Sequence, residues 1–234
     1  MTTPDATDEL VVATQRLVRS VDALRDEQYG APSLLPDWSR GHVVAHLALN
    51  AEGLAGVLTG VVTGEPRTTY ASEASRDADI ERLAAASPSA LRERLFASTS
   101  ELAEAIAAVP DGAWDTVLER TPGGTTFPAG AVPGMRLREV EVHHADLDAG
   151  YTAADWPPRF TVRLLRSMAR RTPSAEPFTA DPHDLDGTWQ CGAVTEGSPV
   201  VRGSAADLAW WLAGRGDGAA LTTDGGALPR IEAW

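Results

Sequence analysis

Residues 35–51, LPDWSRGHVVAHLALNA, decide the fold, because they place polar side chains at regular intervals in an otherwise apolar stretch. His42, His46 and Asn50 are four residues apart, so on a helix they project from one face. Buried polar groups without partners are costly. The stretch therefore predicts a helix whose polar stripe faces polar groups on a neighbouring element.

A second stripe of the same kind lies in residues 136–148. Glu139 and His143 are four residues apart, and Asp146 continues their face of the predicted helix. Two facing stripes in a helical bundle can satisfy one another through a metal ion. We therefore expect the two stretches to pack against each other.

Together the stripes offer the ligands of a catalytic metal site. Two histidines and one glutamate bind zinc in many enzymes and leave a fourth position open, although the same set also suits iron, manganese or nickel. From the residues alone the first ligand is either His42 or His46, with the other supporting it. The alternative is that each stripe is an ordinary hydrogen-bonded set, since a glutamate and a histidine at this spacing form a weak motif.

The N-terminal part of the chain is predicted to be helical. Its apolar residues recur at spacings of three and four, and prolines, glycines and serines separate the segments. We expect helices over residues 8–29, 39–62, 73–86, 89–109 and 136–148, with a loop over residues 110–133. Asp37 or Ser39 can cap the second helix. Four main helices with a longer connection before the last fit an antiparallel bundle.

The composition changes at residues 151–158, where a Trp-Pro-Pro sequence indicates a domain junction. Beyond it we expect helices over residues 159–171 and 204–212 and strands over residues 188–194 and 199–203, with the tail segments 219–223 and 228–233 able to add a further strand. The predicted fold class is α+β. A helical bundle occupies residues 1–152, and a small α/β domain occupies residues 153–234.

The composition argues against several classes of function. The net charge is −13 and every basic residue is arginine, which gives no support to binding of nucleic-acid phosphates or anionic membranes. Cys191 is the only cysteine, so no internal disulfide can form. No signal peptide and no apolar run of membrane-spanning length is visible. We expect a cytoplasmic, soluble monomer.

Three stretches resemble the mycothiol-dependent maleylpyruvate isomerases, which belong to a DinB-like superfamily of metal-binding bundles. The three are residues 35–51, 136–147 and 203–216. The resemblance implies an N-terminal DinB-like four-helix bundle and a C-terminal domain similar to sterol-carrier proteins. It also selects His46 as the first metal ligand and places the other two ligands at Glu139 and His143.

The resemblance further implies a reaction. The family isomerises maleylpyruvate, a dicarboxylate of aromatic degradation through gentisate, to fumarylpyruvate, with the low-molecular-weight thiol mycothiol as cofactor. A cation stabilises a thiolate in its open position. That thiolate can add to the cis double bond, allow rotation and leave. Because the cofactor brings the sulfur, Cys191 is expected to be a packing residue.

Cations are needed to receive the anionic substrate. Arg215, between Gly214 and Gly216, is expected to bind a carboxylate or the enolate oxygen, although an arginine there can also simply complement a helix C-terminus. Arg76 matches a second arginine that the family uses for substrate or thiol binding, with a solvated helix residue as the alternative. Asn50 can line the pocket or satisfy a buried backbone group.

Two other functions fit parts of this pattern. A mycothiol S-transferase would use the same metal ligands to conjugate electrophilic small molecules, without rotation and return of the thiol. A non-catalytic binding module would carry a structural metal and hold an apolar ligand in its C-terminal domain. Structural zinc sites usually fill all four positions with protein ligands, often cysteines, and the predicted set has three ligands and no cysteine.

Overall fold

In the computed structural model, residues 4–171 and 176–231 are described. The chain forms two compact units, Met1–Gly150 and Tyr151–Trp234. The first is mostly helical and the second contains a small sheet, which confirms the predicted α+β fold class.

Five α-helices build the described part of the first unit. They are α1 (Pro4–Asp22), α2 (Arg40–Thr63), α3 (Glu73–Ala84), α4 (Pro88–Ala108) and α5 (Val132–Asp146). Helix α2 is central, since it packs against α3, α4 and α5, while α1 packs against α4 and α5. Ser39 begins α2 by accepting a hydrogen bond from the backbone N–H of His42, and Gly64 ends it with a φ of 76°.

Helix α2 meets the length and composition of a membrane-spanning helix, so the expectation that no stretch of the sequence reaches that length was wrong. However, 72% of its most apolar 18-residue window is buried inside the first unit. A helix that is apolar all round is also typical of the core of a bundle. In this fold α2 is that core helix.

Several boundaries in the first unit differ from the prediction. Helix α1 ends at Asp22 instead of continuing to residue 29, because the chain turns through a short 3-10 helix, Asp26–Gln28. This turn buries Tyr29, whose hydroxyl donates to the Val21 carbonyl at 2.8 Å. Helix α5 begins at Val132 instead of residue 136, since Pro133 fits the first turn of a helix.

The predicted loop over residues 110–133 contains a short antiparallel hairpin. Strand β1 (Val117–Glu119) pairs with β2 (Thr126–Pro128). Gly123 allows the turn between them, because its φ is 68°, in the left-handed region. The glycines, threonines and prolines that predicted a loop therefore lie in the turn of this hairpin and in its short strands.

In its described residues the second unit combines two α-helices with a four-stranded sheet. They are α6 (Pro158–Arg171), β3 (Phe178–Pro182), β4 (Trp189–Cys191), β5 (Val200–Gly203), α7 (Ala205–Leu212) and β6 (Thr222–Thr223). The strand order is β4-β3-β5-β6, and only the β3–β5 pair is parallel. Helices α6 and α7 pack together. The ring of Phe178, on β3, lies 5.4 Å from that of Trp211, on α7.

The sequence missed β3, which pairs on both of its sides. The expected strand over residues 188–194 is confined to Trp189–Cys191, and that over residues 219–223 to Thr222–Thr223. Residues 228–231 form no strand, and the end of the segment expected there, from residue 232, lies outside the described residues.

Candidate metal centre

Three side chains from α2 and α5 converge on one point inside the first unit. His46 Nε2 lies 3.0 Å from Glu139 Oε2, and His143 Nε2 lies 3.4 Å from the same oxygen. Their ligand atoms all lie within 4.8 Å of one another. Four ligands about 2.1 Å from a tetrahedral zinc are about 3.4 Å apart. The two separations from Glu139 Oε2 are therefore close to those of ligands on a single ion.

The side chain of Asp146 fixes the ring of His143. Asp146 Oδ2 lies 2.8 Å from His143 Nδ1, and this carboxylate is fully buried at the end of α5. A carboxylate at Nδ1 keeps the proton on that nitrogen, so that Nε2 presents its lone pair to a metal. Asp146 thus has the contact expected of a residue that orients a metal ligand.

His46 lies between Trp38 and Arg76. The Trp38 ring packs 5.7 Å from the imidazole, measured between centroids. Arg76 Nη2, from α3, lies 3.3 Å from His46 Nδ1, and Arg76 Nη1 pairs with Asp77 at 2.8 Å. Arg76 is therefore placed beside the candidate metal ligands, with 21% of its side chain exposed.

Burial and mutual contacts set the charges of the three ligands. Burial, followed by the charge of His143, lowers the pKa of His46 to about 4. Burial opposes ionisation of Glu139, but hydrogen bonds from His143 and His46 outweigh it and hold its pKa well below the usual range. Burial also opposes a charge on His143, yet hydrogen bonds to Asp146 and Glu139 raise its pKa. At neutral pH Glu139 is therefore ionised and His46 neutral, the states in which both can bind a cation.

His42 points away from this centre, although it lies one helical turn before His46. Its Nδ1 lies 2.7 Å from Ser39 Oγ and accepts from the Ser39 backbone N–H at 3.2 Å. Its Nε2 lies 3.3 Å from Glu81 Oε2. His42 thus completes a capping box at the start of α2 and links α2 to α3.

Replacing His42 by alanine is expected to leave the metal content unchanged. The change removes a capping contact, so the free energy of unfolding should fall by about 1 kcal/mol. Metal analysis of the purified variant and urea denaturation check both parts. A variant that loses its metal would return His42 to the list of ligands.

Asn50 and Arg136 form a buried link between α2 and α5. Arg136 is 1% exposed, and its Nη1 donates to the Leu47 carbonyl and to Asn50 Oδ1, both at 2.8 Å. Burial lowers the pKa of Arg136 to about 10, while Glu139 and Tyr70 oppose the shift, so the guanidinium stays charged at neutral pH. No role was predicted for Arg136; the only signal in the sequence was its position one turn before Glu139.

Arg215 belongs to the second unit, just after α7. It is 6% exposed, and its Nη1 donates to the Ala213 carbonyl at 2.8 Å. Gly214 and Gly216 on either side have φ values of 73° and 68°, which glycine adopts without strain. The contact with Ala213 is the helix-end arrangement that was the alternative to a role in substrate binding.

Comparison with known proteins covers both units. The family model described as the mycothiol maleylpyruvate isomerase N-terminal domain matches residues 10–148, and the one described as the MDMPI C-terminal domain matches residues 155–233. Among curated proteins, no sequence matches the chain significantly.

Two crystal structures of mycothiol-dependent maleylpyruvate isomerase are similar to this chain, one of them a variant with a histidine replaced by alanine. Each has a TM-score of 0.91 and 27% sequence identity, and each match covers 98% of this chain and 96% of the other. The likeness therefore extends over both units.

Proposed function

Because the chain belongs to the mycothiol maleylpyruvate isomerase family and is an enzyme, we propose that it converts maleylpyruvate to fumarylpyruvate with mycothiol as cofactor. The reaction takes place at a divalent metal, most simply zinc, bound by His46, Glu139 and His143. The observation that carries this proposal is the buried convergence of their ligand atoms within 4.8 Å.

The donor set suits a catalytic ion better than a structural one. Two imidazole nitrogens and one carboxylate oxygen leave a coordination position open. Within the described parts of the chain, His46, Glu139 and His143 form the one such group whose ligand atoms lie this close together. When bound, the metal supplies a positive charge that stabilises a thiolate in the open position.

The residues around the site prepare it for that role. Asp146 holds Nδ1 of His143, so the ring cannot rotate without losing a buried hydrogen bond. The link from Arg136 to Leu47 and Asn50 ties α5 to the part of α2 that carries His46. The two helices are therefore held at the separation that the ligands require.

The substrate has two carboxylates, and the chain must supply cations in an otherwise acidic protein. Arg76 lies against His46, and its Nε is buried without a hydrogen-bond partner among the described residues. An anion bound beside this Nε would complete the hydrogen bonding of the guanidinium. Arg215 of the second unit is assigned to a carboxylate or to the enolate oxygen of the reacting substrate.

Mycothiol supplies the sulfur that adds to the double bond and leaves it, so the chain needs no nucleophile of its own. Burial raises the pKa of the Cys191 thiol to about 12, and the thiolate form is negligible at neutral pH. Cys191→Ala is expected to retain the kcat and KM of the parent enzyme within about twofold, since the thiol only packs. Steady-state kinetics check this. A variant that is folded but inactive would mean that the Cys191 sulfur takes part in the reaction.

The proposed function is tested by incubating metal-loaded protein with maleylpyruvate and mycothiol and separating the products. We expect maleylpyruvate to disappear and fumarylpyruvate to accumulate, with mycothiol unconsumed. If metal is bound and maleylpyruvate persists, the isomerase assignment is wrong. Accumulation of a stable mycothiol conjugate would instead indicate the S-transferase.

A further inference from the structure

Tyr70 and Arg120 form a second polar cluster near the candidate metal ligands. The Arg120 guanidinium lies over the Tyr70 ring, 4.9 Å from its centroid. Arg76, which contacts His46, lies 5.9 Å from the same centroid. The Tyr70 hydroxyl is 3.5 Å from Asn50 Nδ2, one helical turn beyond His46. Tyr70 therefore lies next to two residues that border the site.

The backbone fixes this position. The N–H of Tyr70 donates to the Arg120 carbonyl at 2.8 Å, so the two residues are neighbours across a short extension of the hairpin. Gly53 of α2 lets the chain approach closely, because a Cβ there would lie 2.6 Å from the Thr69 carbonyl oxygen. The backbone at Tyr70 and Arg120 is thus fixed within the first unit, while the Arg120 side chain is 38% exposed.

Arg120 uses one edge of its guanidinium, formed by Nε and Nη2, for an ion pair, and Nη1 lies on the other side. Its Nε and Nη2 donate to the two carboxylate oxygens of Glu73 at 2.8 and 3.0 Å. Nη1 makes no hydrogen bond to the described part of the chain. The Glu73 bond is the main cause that raises the pKa of Arg120, and the charge of Glu139 adds to it. The guanidinium is thus held over the Tyr70 ring, whose hydroxyl lies next to Asn50.

The hydroxyl group of Tyr70 can still donate a hydrogen bond. Asn50 contributes the amide nitrogen near the hydroxyl oxygen, and Asn50 is itself fixed by the buried Arg136. Among the described residues the Tyr70 hydroxyl proton has no recorded acceptor. A phenol and a guanidinium edge that both lack acceptors are the donors that a carboxylate requires.

We propose that the Tyr70 hydroxyl and Arg120 Nη1 form a carboxylate subsite beside the metal ligands, which binds one end of the dicarboxylate substrate. This inference rests on the proposed function, and it names the residues that would make the enzyme select a dicarboxylate substrate. Glu73 acts as a positioning residue, because it holds the guanidinium by the opposite edge and over the ring. The alternative, a surface ion pair between Arg120 and Glu73, would leave substrate binding unchanged when either Tyr70 or Arg120 is replaced.

The test uses Tyr70→Phe, which keeps the stacked ring, and Arg120→Met, which keeps much of the side-chain volume. We expect the KM for maleylpyruvate to rise about tenfold or more in Arg120→Met and about threefold or more in Tyr70→Phe. The KM for mycothiol and the metal content should stay within about twofold of the parent, since the subsite binds substrate and not thiol.

Arg94→Met is the matched control. Arg94 also forms a two-point ion pair, with Glu52, that joins two helices, and it has no part in the proposed subsite. Its loss should leave both KM values unchanged. An unchanged maleylpyruvate KM in both test variants, or a rise in the mycothiol KM instead, would overturn the subsite.

Binding of maleate, a small cis dicarboxylate, separates this inference from the proposed function. Calorimetry of metal-loaded parent protein should detect maleate binding that weakens about tenfold in Arg120→Met. If the parent binds maleate in this way but does not isomerise maleylpyruvate, the reaction is wrong and the subsite holds. If maleate does not bind, or binds equally to the parent and both variants, the subsite is wrong whatever the activity.

Discussion

Replacing His46 by alanine is expected to abolish metal binding and to lower kcat/KM for maleylpyruvate by about a thousandfold or more. The change leaves Glu139 and His143 as the only ligands of the described set, and two ligands from one helix hold a metal far more weakly than three. Metal analysis and steady-state kinetics on the same preparation give both results.

His42→Ala is the matched control, since it removes the same side chain one turn earlier on the same helix. His46 is 4% exposed, so its loss also leaves a cavity in the first unit. Glu139→Gln therefore serves as a second variant, because it changes a charge and not a volume. Full activity in metal-free His46→Ala protein would refute the catalytic metal.

Replacing Arg215 by methionine is expected to lower kcat about a hundredfold while the metal content stays at the level of the parent. A guanidinium that stabilises a developing negative charge contributes mainly in the transition state, so kcat should fall more than KM rises. The measurement is a full kinetic analysis with maleylpyruvate and mycothiol varied separately.

Arg215→Lys tests whether two-point geometry matters, because lysine keeps the charge but not the planar pair of donors. If Arg215 serves only to cap α7 through Ala213, the methionine variant should keep its kcat and lose about 0.5 kcal/mol of stability. That result would remove Arg215 from the reaction.

The four-residue spacing was enough to predict which side chains share a helix face, but not which of them face inward. His42 and His46 have the same relation to the helix, and spacing cannot distinguish them. The difference arises at Ser39, whose hydroxyl and backbone N–H lie close to His42 Nδ1 and turn that ring towards α3. Only the resemblance to the isomerase family selected His46 before the structure.

The missed strands share a physical cause. Strand β3 spans five residues and ends in Asp181-Pro182, which resembles a turn in sequence. It forms because it pairs with β4 on one side and β5 on the other, and such pairing is tertiary information. The β1–β2 hairpin is hidden in the same way, since its three-residue strands are too short for a clear alternation of apolar and polar residues.

The role of Arg136 also could not be predicted from the sequence. An arginine one turn before Glu139 on a predicted helix is usually solvated. Here it is buried because the Leu47 carbonyl and Asn50 Oδ1 on α2 accept its hydrogen bonds. The polar stripe of α2 was predicted to face polar groups on α5. The spacing did not show that the partner of Asn50 would be Arg136.

The central claim is that a metal held by His46, Glu139 and His143 carries the thiol-dependent isomerisation. It is tested most directly by measuring metal content and maleylpyruvate turnover on one preparation, before and after removal of the metal with a chelator and again after zinc is restored. The expected result is about one divalent ion per chain, loss of turnover on removal, recovery with zinc, and no turnover without mycothiol. Turnover by the metal-free chain at the rate of the loaded enzyme would contradict the claim.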